Sequence, residues 1–588
     1  MKRRFQRSAC LCLLLFATSL SLPASDDRYT RDALIEDAYQ LRDAIEEAHP
    51  DPYLNGGGKI AFHRRFRDLL ERIPAEGMTR DGFLNLLGPF VAAVGDSHTA
   101  VINAAGQSTP VTLPLQFKIV EEQLVVDRVA LEEQRPLIGS LLTAVEDVPL
   151  AELIERQGRL RGLENRYGKL AFMIFRTLKT RQNLGQLIPE WTKGGKIEVH
   201  LLQPDGSTAS VELELLGEPP DQWISPPSAV SMPDTTSSDV AYTFLDSDRT
   251  TALLVIRDLM RYREACEMWF ADGFDQAEAM TRAAYEHFHQ TPAPENREDL
   301  LTGVPSATST IAEMVDEMRA FGTKNLIVDL RGNTGGSSVM REILVYLLFG
   351  DRAMRDLDDG YQITKISAHL LEQYAASSLA DINAGRTIPL RINDYDFKEE
   401  QTYHAERGSQ TTPEEEPSLA RSPSFWETYR TGKFHSPRWS PARIAAISDP
   451  LTFSSGFNVL SGLYSLGAVT VGTPSAQPPN NFGDMLLFEL QHTGIQAGVS
   501  HKQIVAFPDE PEIGRCLRPE IPLTFEQLAA SGFDPNAEVL LALDVLQRSR
   551  DGRTRPDRPA TRRSDRIEKQ VGSPHPSIGE RSTSPPSP

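Results

Sequence analysis

Cysteine is scarce in this sequence, with four in 588 residues. Two of them, Cys10 and Cys12, lie in an apolar run at the N-terminus, which leaves Cys266 and Cys516 for the rest of the chain. Two cysteines allow at most one disulfide, so a small scaffold held together by several disulfides is excluded. The cysteine–histidine spacing of a metal site is also missing, and we expect neither a metal nor another cofactor.

An excess of basic residues is missing as well. The chain has 61 lysines and arginines against 81 aspartates and glutamates, which gives a formal net charge of -20. Nucleic acid and anionic membrane surfaces both require a basic face on the protein that binds them. We therefore expect neither as the main partner.

A long apolar run occurs only at the N-terminus. Residues 2–4 are basic, residues 9–22 are largely apolar, and Pro23-Ala24-Ser25 follows. This order is typical of a secretory signal peptide, so we predict removal of residues 1–25, a periplasmic or secreted protein, and no stable membrane insertion afterwards. The alternative is an uncleaved anchor, although the run is shorter than the roughly 20 residues that span a bilayer.

The spacing of apolar residues changes along the rest of the chain, as expected for a protein that is too long for one hydrophobic core. Helical spacing of apolar residues gives way to short alternating segments, which indicate a β-rich module of PDZ type or a plain β-rich spacer.

Apolar runs at residues 325–330 and 444–448 then indicate buried parallel strands of an α/β domain. Within that domain, the polar residues 395–425 predict an exposed loop or lid. The predicted parts are a signal peptide (1–25), a helical cap (26–105), the PDZ-like module (106–216), a linker (217–240), the α/β domain (241–548) and a disordered tail (549–588).

A strand-to-helix turn at residues 449–456 carries the first candidate catalytic residue. A buried strand precedes the turn, and apolar residues at helical spacing follow it up to Gly467. Ser454 and Ser455 thus lie at a helix N-terminus, where free N–H groups and the helix dipole stabilise developing negative charge. The alternative is that these serines only cap the helix.

A glycine-rich turn at residues 329–336, Asp-Leu-Arg-Gly-Asn-Thr-Gly-Gly, follows another buried strand and precedes an apolar helix. Glycines allow backbone N–H groups to approach a ligand closely. The Gly-Lys-Ser/Thr ending of a phosphate-binding loop is missing, so the turn favours a contribution to an oxyanion hole.

A third segment, Val94-Gly95-Asp96-Ser97-His98-Thr99, places a histidine among small polar residues. Such a histidine is either a general base or an ordinary surface residue.

Together the three segments resemble the tail-specific and tricorn-core family of serine peptidases, the C-terminal-processing proteases. The resemblance extends over most of residues 30–545. The similar segments are Gly95–Thr99 (Gly-Asp-Gly-His-Thr in the family), 329–336 (Asp-Leu-Arg-Gly-Asn-x-Gly-Gly), 452–457 (Thr-x-Ser-Ala-x-Glu), 471–484 and 514–521. The resemblance implies a crotonase-like α/β core with a PDZ-like module, and hydrolysis through an acyl-enzyme.

The sequence departs from one branch of that family, which activates its serine with a lysine further along the chain. The corresponding residues 473–484 contain no lysine. The tricorn-core branch instead uses a histidine preceded by a serine, together with a late glutamate, and Ser97-His98 is similar to it. Glu512 is the best match for the glutamate, with Glu510 and Glu520 as alternatives.

The resemblance assigns a role to each candidate residue. A serine hydroxyl needs an adjacent base, and a histidine is suited to take its proton and return it to the leaving group. The predicted site residues are Ser454 (nucleophile), His98 (general base), Ser97 and Glu512 (groups that orient the imidazole or the water), and the backbone N–H groups of Ser455 and of Gly335 or Gly336 (oxyanion donors).

The sequence thus predicts an exported serine peptidase that acts on peptides or proteins. Phe457 replaces a glutamate of the family pattern, and the expected lysine is missing. These departures leave open a catalytically inactive peptide- or lipid-binding protein on the same fold. A serine hydrolase of non-peptide substrates, such as an esterase or amidase, is the other alternative.

Overall fold

The computed structural model of the chain describes residues 28–102, 110–274, 276–357, 360–373, 378–405, 419–439 and 442–548. The predicted signal peptide and C-terminal tail lie outside the described residues. One compact unit ends at Leu543, and a second unit begins at Asp544. No helix in the described ranges combines the length and the apolar character needed to cross a bilayer.

Helices dominate the described chain up to residue 102. The Thr30 side chain accepts a hydrogen bond from the Ala33 N–H at 3.3 Å and begins the first helix. Apolar residues at the predicted helical spacing are buried along its inner face: Leu34, Ala38, Leu41 and Ile45. The elements are β1 (Arg28–Tyr29), α1 (Arg31–Ala48), α2 (Lys59–Glu71), β2 (Met78–Thr79), α3 (Arg80–Ala92) and β3 (Ala100–Ile102).

The next part is the predicted β-rich module. Its elements are β4 (Leu115–Val120), β5 (Gln123–Val129), β6 (Leu141–Val145), β7 (Val148–Pro149), α4 (Leu150–Leu160), α5 (Arg166–Phe175), α6 (Arg181–Leu187), β8 (Lys196–Leu202) and β9 (Thr208–Glu214). The antiparallel sheet has the order β4-β5-β6-β8-β9. Ile197, Val199 and Leu201 alternate with more exposed residues along β8, as expected for a strand that buries one face. The buried faces of α4, α5 and α6 share one apolar cluster with this sheet.

The α/β core begins at residue 240. Its first elements are β10 (Val240–Phe244), β11 (Thr251–Ile256), α7 (Arg263–Ala271), α8 (Ala277–His289), α9 (Arg297–Gly303), α10 (Ala307–Phe321), β12 (Asn325–Asp329) and α11 (Val339–Asp356, with a kink at Gly350). The remaining elements are β13 (Tyr361–Lys365), α12 (Ala368–Gln373), α13 (Leu379–Asn383), β14 (Tyr395–Asp396), α14 (Lys398–Ala405), α15 (Pro423–Arg430), β15 (Arg443–Ser448), α16 (Ser455–Ser465), β16 (Val469–Gly472), β17 (Asn480–Glu489), β18 (Gln496–Val505), α17 (Pro511–Arg515), β19 (Ile521–Pro522), α18 (Phe525–Ala530) and α19 (Ala537–Arg548).

The central sheet has the order β10-β11-β12-β15-β16-β19, and all its pairs are parallel except β10 with β11. Every residue of β11 and β12 is buried, as expected for parallel strands covered on both faces. Because β12 and β15 are neighbours, the turns that follow their carboxyl ends meet at one edge of the sheet. The glycine-rich turn and the Ser454 turn are those two turns.

A second sheet, with the order β14-β13-β18-β17, also pairs β18 with β3 from the N-terminal part. Apolar residues of α1, α2 and α3 form one cluster with residues of β17 and β18. The helical region therefore shares its core with this sheet, an arrangement that no local pattern of the sequence indicates.

The expectation of an exposed loop at residues 395–425 is wrong for the ends of that segment. Its first part forms β14 and α14, and its last part enters α15, where Phe425 is fully buried. The Glu267 carboxylate accepts hydrogen bonds from the Ser422 hydroxyl and from the N–H and hydroxyl groups of Ser424, which holds the start of α15. The polar composition of this segment did not indicate a helix, because the carboxylate that holds the start of the helix belongs to Glu267, which is distant in the sequence. Residues 406–418 lie outside the described chain.

The two cysteines of the described chain are both free thiols. Cys266 is buried in α7, and Cys516 follows α17 and is half-buried. The one disulfide that the sequence allows is therefore not formed.

Candidate active site

Ser454 lies where the turn after β15 enters α16. Its backbone has φ 52° and ψ -123°, a left-handed conformation that a non-glycine residue adopts at a cost of about 1–3 kcal/mol. The side chain is 2% exposed, and within the described part of the chain its Oγ has no hydrogen-bond partner. A capping serine would accept a hydrogen bond from a backbone N–H of the helix, and Ser454 does not. Its buried hydroxyl, on a strained turn, makes no structural hydrogen bond to the described residues that would have to break before it could react.

The Ser454 backbone is held by residues 475–477, which lie outside its own turn. The Ser454 N–H donates to Gln477 Oε1 at 2.8 Å, and the Gln477 N–H donates to Ser475 Oγ at 2.9 Å. That hydroxyl in turn donates to the Thr452 carbonyl at 2.6 Å. Asn165, from the β-rich module, donates its amide to the Ser475 carbonyl at 3.1 Å. The module is thereby connected to the nucleophile turn.

The glycine-rich turn after β12 packs directly against Ser454. Gly335 has φ 98°, and a Cβ on it would lie 2.7 Å from Ser454 Cβ and 3.0 Å from Ser455 N. The Ser455 hydroxyl donates to the Gly336 carbonyl at 2.7 Å. The structure thus brings all three predicted oxyanion residues beside the predicted nucleophile, and glycine is required for this close approach.

Asn333 joins the two turns. Its side-chain carbonyl accepts from the Gly335 N–H at 3.0 Å, and its side-chain amide donates to the Ile256 carbonyl at 2.9 Å. Its backbone carbonyl accepts from the Phe453 N–H at 2.9 Å. The Gly335 N–H is therefore already engaged, which distinguishes it from the other predicted oxyanion donors.

His98 lies in the turn between α3 and β3 and is 3% exposed. Its ring stacks on Phe453, with the ring centroids 5.3 Å apart and the planes inclined by 27°. Since Phe453 immediately precedes Ser454, the structure places the predicted base next to the nucleophile turn. The alternative of an ordinary surface histidine does not fit this burial.

Asp96 is a fully buried carboxylate that faces two histidines. Its Oδ1 accepts from the His98 backbone N–H at 2.9 Å and lies 3.8 Å from His98 Nδ1. Its Oδ2 accepts from the hydroxyls of Thr99 and Ser500, each at 2.6 Å, and lies 3.4 Å from His49 Nε2. Burial alone would raise the pKa of Asp96, but the two histidines outweigh it and hold that pKa well below its usual range.

Ser97 is held by two groups of the β-rich module. Its N–H and its hydroxyl both donate to Glu164 Oε1, at 3.1 and 2.9 Å, and the Arg161 guanidinium donates to its carbonyl at 2.8 Å. Asp96, His98 and Glu164 each offer a ligand atom within 4.8 Å of the others, the spacing of a metal site as well as of a hydrogen-bonded catalytic group. Both oxygens of Asp96 already accept from protein donors, which favours the second interpretation.

The structure places Glu512 away from this buried group. Its side chain is 85% exposed on α17 and pairs with Arg515 at 2.8 Å. Glu510 precedes the first residue of the same helix, and the Glu520 carboxylate accepts from the Thr470 N–H at 3.3 Å. The carboxylates beside His98 are Asp96 and Glu164 instead. No motif indicated Glu164, because it precedes an ordinary module helix in a segment distant from His98 in sequence.

A lysine does lie near residues 473–484, although the segment itself has none. Lys502, on the neighbouring strand β18, pairs with Asp484 of β17 at 2.6 Å. The two residues come together through strand register, which a linear search for a lysine could not detect.

Among solved structures, those of CPAF are similar to this chain over most of its length. No protein-family model matches the sequence, and no curated protein matches it. A solved structure of mature CPAF superposes with a TM-score of 0.53 at 13% identity, and the match covers 89% of this chain and 99% of that one. The complex of mature CPAF with lactacystin gives 0.51 at 14% identity, covering 88% and 98%. The photosystem II D1 C-terminal processing protease gives 0.38 at 12% identity, covering 84% and 94%.

At these identities the likeness establishes a fold. The mixed α/β architecture, with its crotonase-like core, helical cap and PDZ-like β-rich module, agrees with the sequence prediction. The match over 99% of mature CPAF leads to one conclusion: the chain has the fold of CPAF, and the motifs that resemble the tail-specific, C-terminal-processing serine peptidases lie along it in that family's order.

Proposed function

We propose that this protein is a serine peptidase that cleaves peptide bonds through an acyl-enzyme on Ser454, with His98 as the general base. The observation that carries the proposal is the buried Ser454 hydroxyl, held in a strained turn without a hydrogen-bond partner in the described chain and flanked by the His98–Phe453 stack. A serine retained for stability would be expected to bond its hydroxyl, because an unsatisfied buried group costs about 1–3 kcal/mol.

In the proposed first step, the Ser454 oxygen attacks the carbonyl carbon of the substrate while His98 takes the hydroxyl proton. His98 Nδ1 faces Asp96, so Nε2 is the nitrogen that accepts this proton. The buried Asp96 carboxylate stabilises the imidazolium that forms.

The negative charge that develops on the substrate oxygen is held by backbone N–H groups at the start of α16 and in the glycine-rich turn. Ser455 and Gly336 are the proposed donors, because the Gly335 N–H already donates to Asn333. Losing one such donor typically costs about 3 kcal/mol of transition-state stabilisation.

Collapse of the tetrahedral intermediate breaks the C–N bond, and His98 gives its proton to the leaving amine. Water then attacks the acyl-enzyme with His98 again as the base, which releases the acid product and restores Ser454. Glu512, exposed and paired with Arg515, has no role in this proposal.

Substitution of the nucleophile tests the proposal. Ser454→Ala should lower kcat for a peptide panel by at least about 10,000-fold, as loss of a serine nucleophile does elsewhere. Ser461→Ala is the matched control on the same helix, since its hydroxyl donates to the local Asn458 carbonyl at 3.1 Å. Equal activity of the Ser454 variant and the control would contradict the proposal. Ester turnover without peptide turnover would instead indicate a non-peptide hydrolase.

A further inference from the structure

Glu164 comes from the β-rich module, between α4 and α5, yet its side chain reaches the turn that carries the proposed base. Oε1 accepts from both the N–H and the hydroxyl of Ser97. Oε2 is buried and has no hydrogen-bond partner among the described residues. An acceptor that binds two donors of one residue fixes the position of that residue, which here immediately precedes His98.

The backbone around Glu164 is equally constrained. Arg161 donates to the Ser97 carbonyl at 2.8 Å, so Ser97 is held from both of its polar sides by the module. A Cβ on Gly162 would lie 2.7 Å from the Asp96 carbonyl, which shows how closely the two chain segments pass. Displacement of this module segment would therefore move the His98 turn.

The charged and titratable groups that face Glu164 are Asp96 and His98 from the turn and Arg161 from its own module, and Asp96 also lies 3.4 Å from His49 Nε2. One ligating atom of each of Asp96, His98 and Glu164 lies within 4.8 Å of the others. A negative charge at that distance from an imidazole stabilises the protonated ring.

We propose that Glu164 is a positioning residue for His98, which fixes the ring through Ser97 and stabilises the imidazolium formed when Ser454 is deprotonated. This inference rests on the proposed function, in which His98 is the base. It assigns to a glutamate of the module the orienting role that the sequence suggested for Glu512.

The protonation state of Glu164 then affects the reaction near neutral pH. Burial, together with the nearby charge of Asp96, raises the pKa of Glu164 to about 7. The side chain is therefore mostly a neutral carboxylic acid below that pH and mostly a carboxylate above it. Its stabilising negative charge is gained as the pH rises through about 7.

The test compares Glu164→Gln, Glu164→Ala and the wild type in peptide hydrolysis across pH. The glutamine keeps an acceptor for Ser97 and removes the charge, while the alanine removes both. Glu155→Gln is the matched control, because Glu155 is a glutamate of the same module with a side chain that is 64% exposed.

For Glu164→Gln we expect kcat to fall about tenfold or more, the size of one hydrogen bond to a charged group, with KM nearly unchanged. The acid limb of its pH profile should move to lower pH, because a neutral amide no longer stabilises the imidazolium. Glu164→Ala should lose more of kcat, and Glu155→Gln should match the wild type.

A purely structural role would give a different pattern. Thermal melting of each variant measures the fraction that is folded at the assay temperature. The inference is overturned if activity falls only in proportion to that fraction and the acid limb of the pH profile does not move. So would wild-type kcat in both Glu164 variants. A wild type that neither hydrolyses peptides nor reacts with a fluorophosphonate would contradict the proposed function itself, and this role with it.

Discussion

At the residue scale, the proposed site depends on how closely the glycine-rich turn approaches Ser454. Gly335 has φ 98° and no room for a side chain. Gly332 of the same turn has φ 76°, and a Cβ at this position would have no other atom within 4 Å. The two glycines share a left-handed backbone and differ in their surroundings. Substitutions at the two positions therefore separate the free-energy cost of a side chain on a left-handed backbone from the loss of activity caused by displacing Ser454.

We predict that Gly335→Ala lowers kcat/KM by about 100-fold or more, because the new Cβ must push Ser454 or Ser455 out of position. Gly332→Ala should cost about 1–2 kcal/mol of unfolding free energy, the penalty of the left-handed conformation, and leave kcat/KM near that of the wild type. Steady-state kinetics and urea unfolding of both variants make the comparison. Similar losses of activity in the two variants would contradict this account of the turn.

The residues that could be predicted from the sequence are those whose role depends on local chain geometry. Ser454, His98 and the glycines stand in short contiguous motifs, and the structure brings them together. Glu164 and Gln477 act through contacts between segments far apart in sequence, which no local pattern encodes. Glu512 was chosen by its position in a motif, and its exposure shows that sequence position does not determine where a side chain points.

At the element scale, the strand β12 is tied to its surroundings through Arg331. The Arg331 guanidinium donates to both carboxylate oxygens of Asp329 at 2.9 Å and to Glu538 Oε2 at 2.6 Å. Glu538 also accepts from Lys118 of the module strand β4 at 2.9 Å. This network, made of Arg331, Asp329, Glu538 and Lys118, joins the glycine-rich turn to the module.

We predict that Arg331→Met lowers the free energy of unfolding by about 3–5 kcal/mol, because it leaves buried carboxylates with one cation fewer. Arg135→Met is the control, since the Arg135–Glu132 pair lies at the surface and its loss should leave the free energy of unfolding nearly unchanged. Urea unfolding at about pH 6 measures both. An equal response of the two variants would contradict the structural role of the network.

The same network makes a prediction about pH. Burial opposes ionisation of Asp329 and Glu538, but their cationic partners outweigh it and hold both pKa values below the usual range. Groups with depressed folded-state pKa values stabilise the protein above their unfolded pKa, near 4, and lose this effect as the pH falls below it. The difference in unfolding free energy between the wild type and Arg331→Met should therefore shrink at about pH 3. A constant difference would show that the ion pairs do not cause it.

At the scale of the whole molecule, the N-terminal helices are part of the framework that positions His98, the proposed base. Strand β3 pairs with β18, and Ser500 of β18 donates to Asp96, so the His98 turn is anchored to the second sheet. The Asp37 carboxylate of α1 accepts from the backbone of His492 and Thr493, between β17 and β18. The helices of this cap were predictable because helical periodicity is local, whereas the pairing of β3 with β18 depends on long-range contacts that no local pattern encodes.

The parallel core was more predictable, because buried strands leave continuous apolar runs at β12 and β15. The order of those strands was not, since neighbouring strands of a parallel sheet are joined by long crossovers that carry no pairing signal. Their adjacency is what brings the glycine-rich turn to Ser454.

Activation of the Ser454 hydroxyl by His98 is the proposed chemistry of this protein. Its most direct test is covalent labelling with a fluorophosphonate, followed by mass spectrometry of the peptide that contains Ser454. We predict that the wild type is labelled at Ser454, that Ser454→Ala is not labelled, and that His98→Ala is labelled far more slowly. A wild type that stays unlabelled, or a His98 variant that is labelled at the wild-type rate, would contradict it.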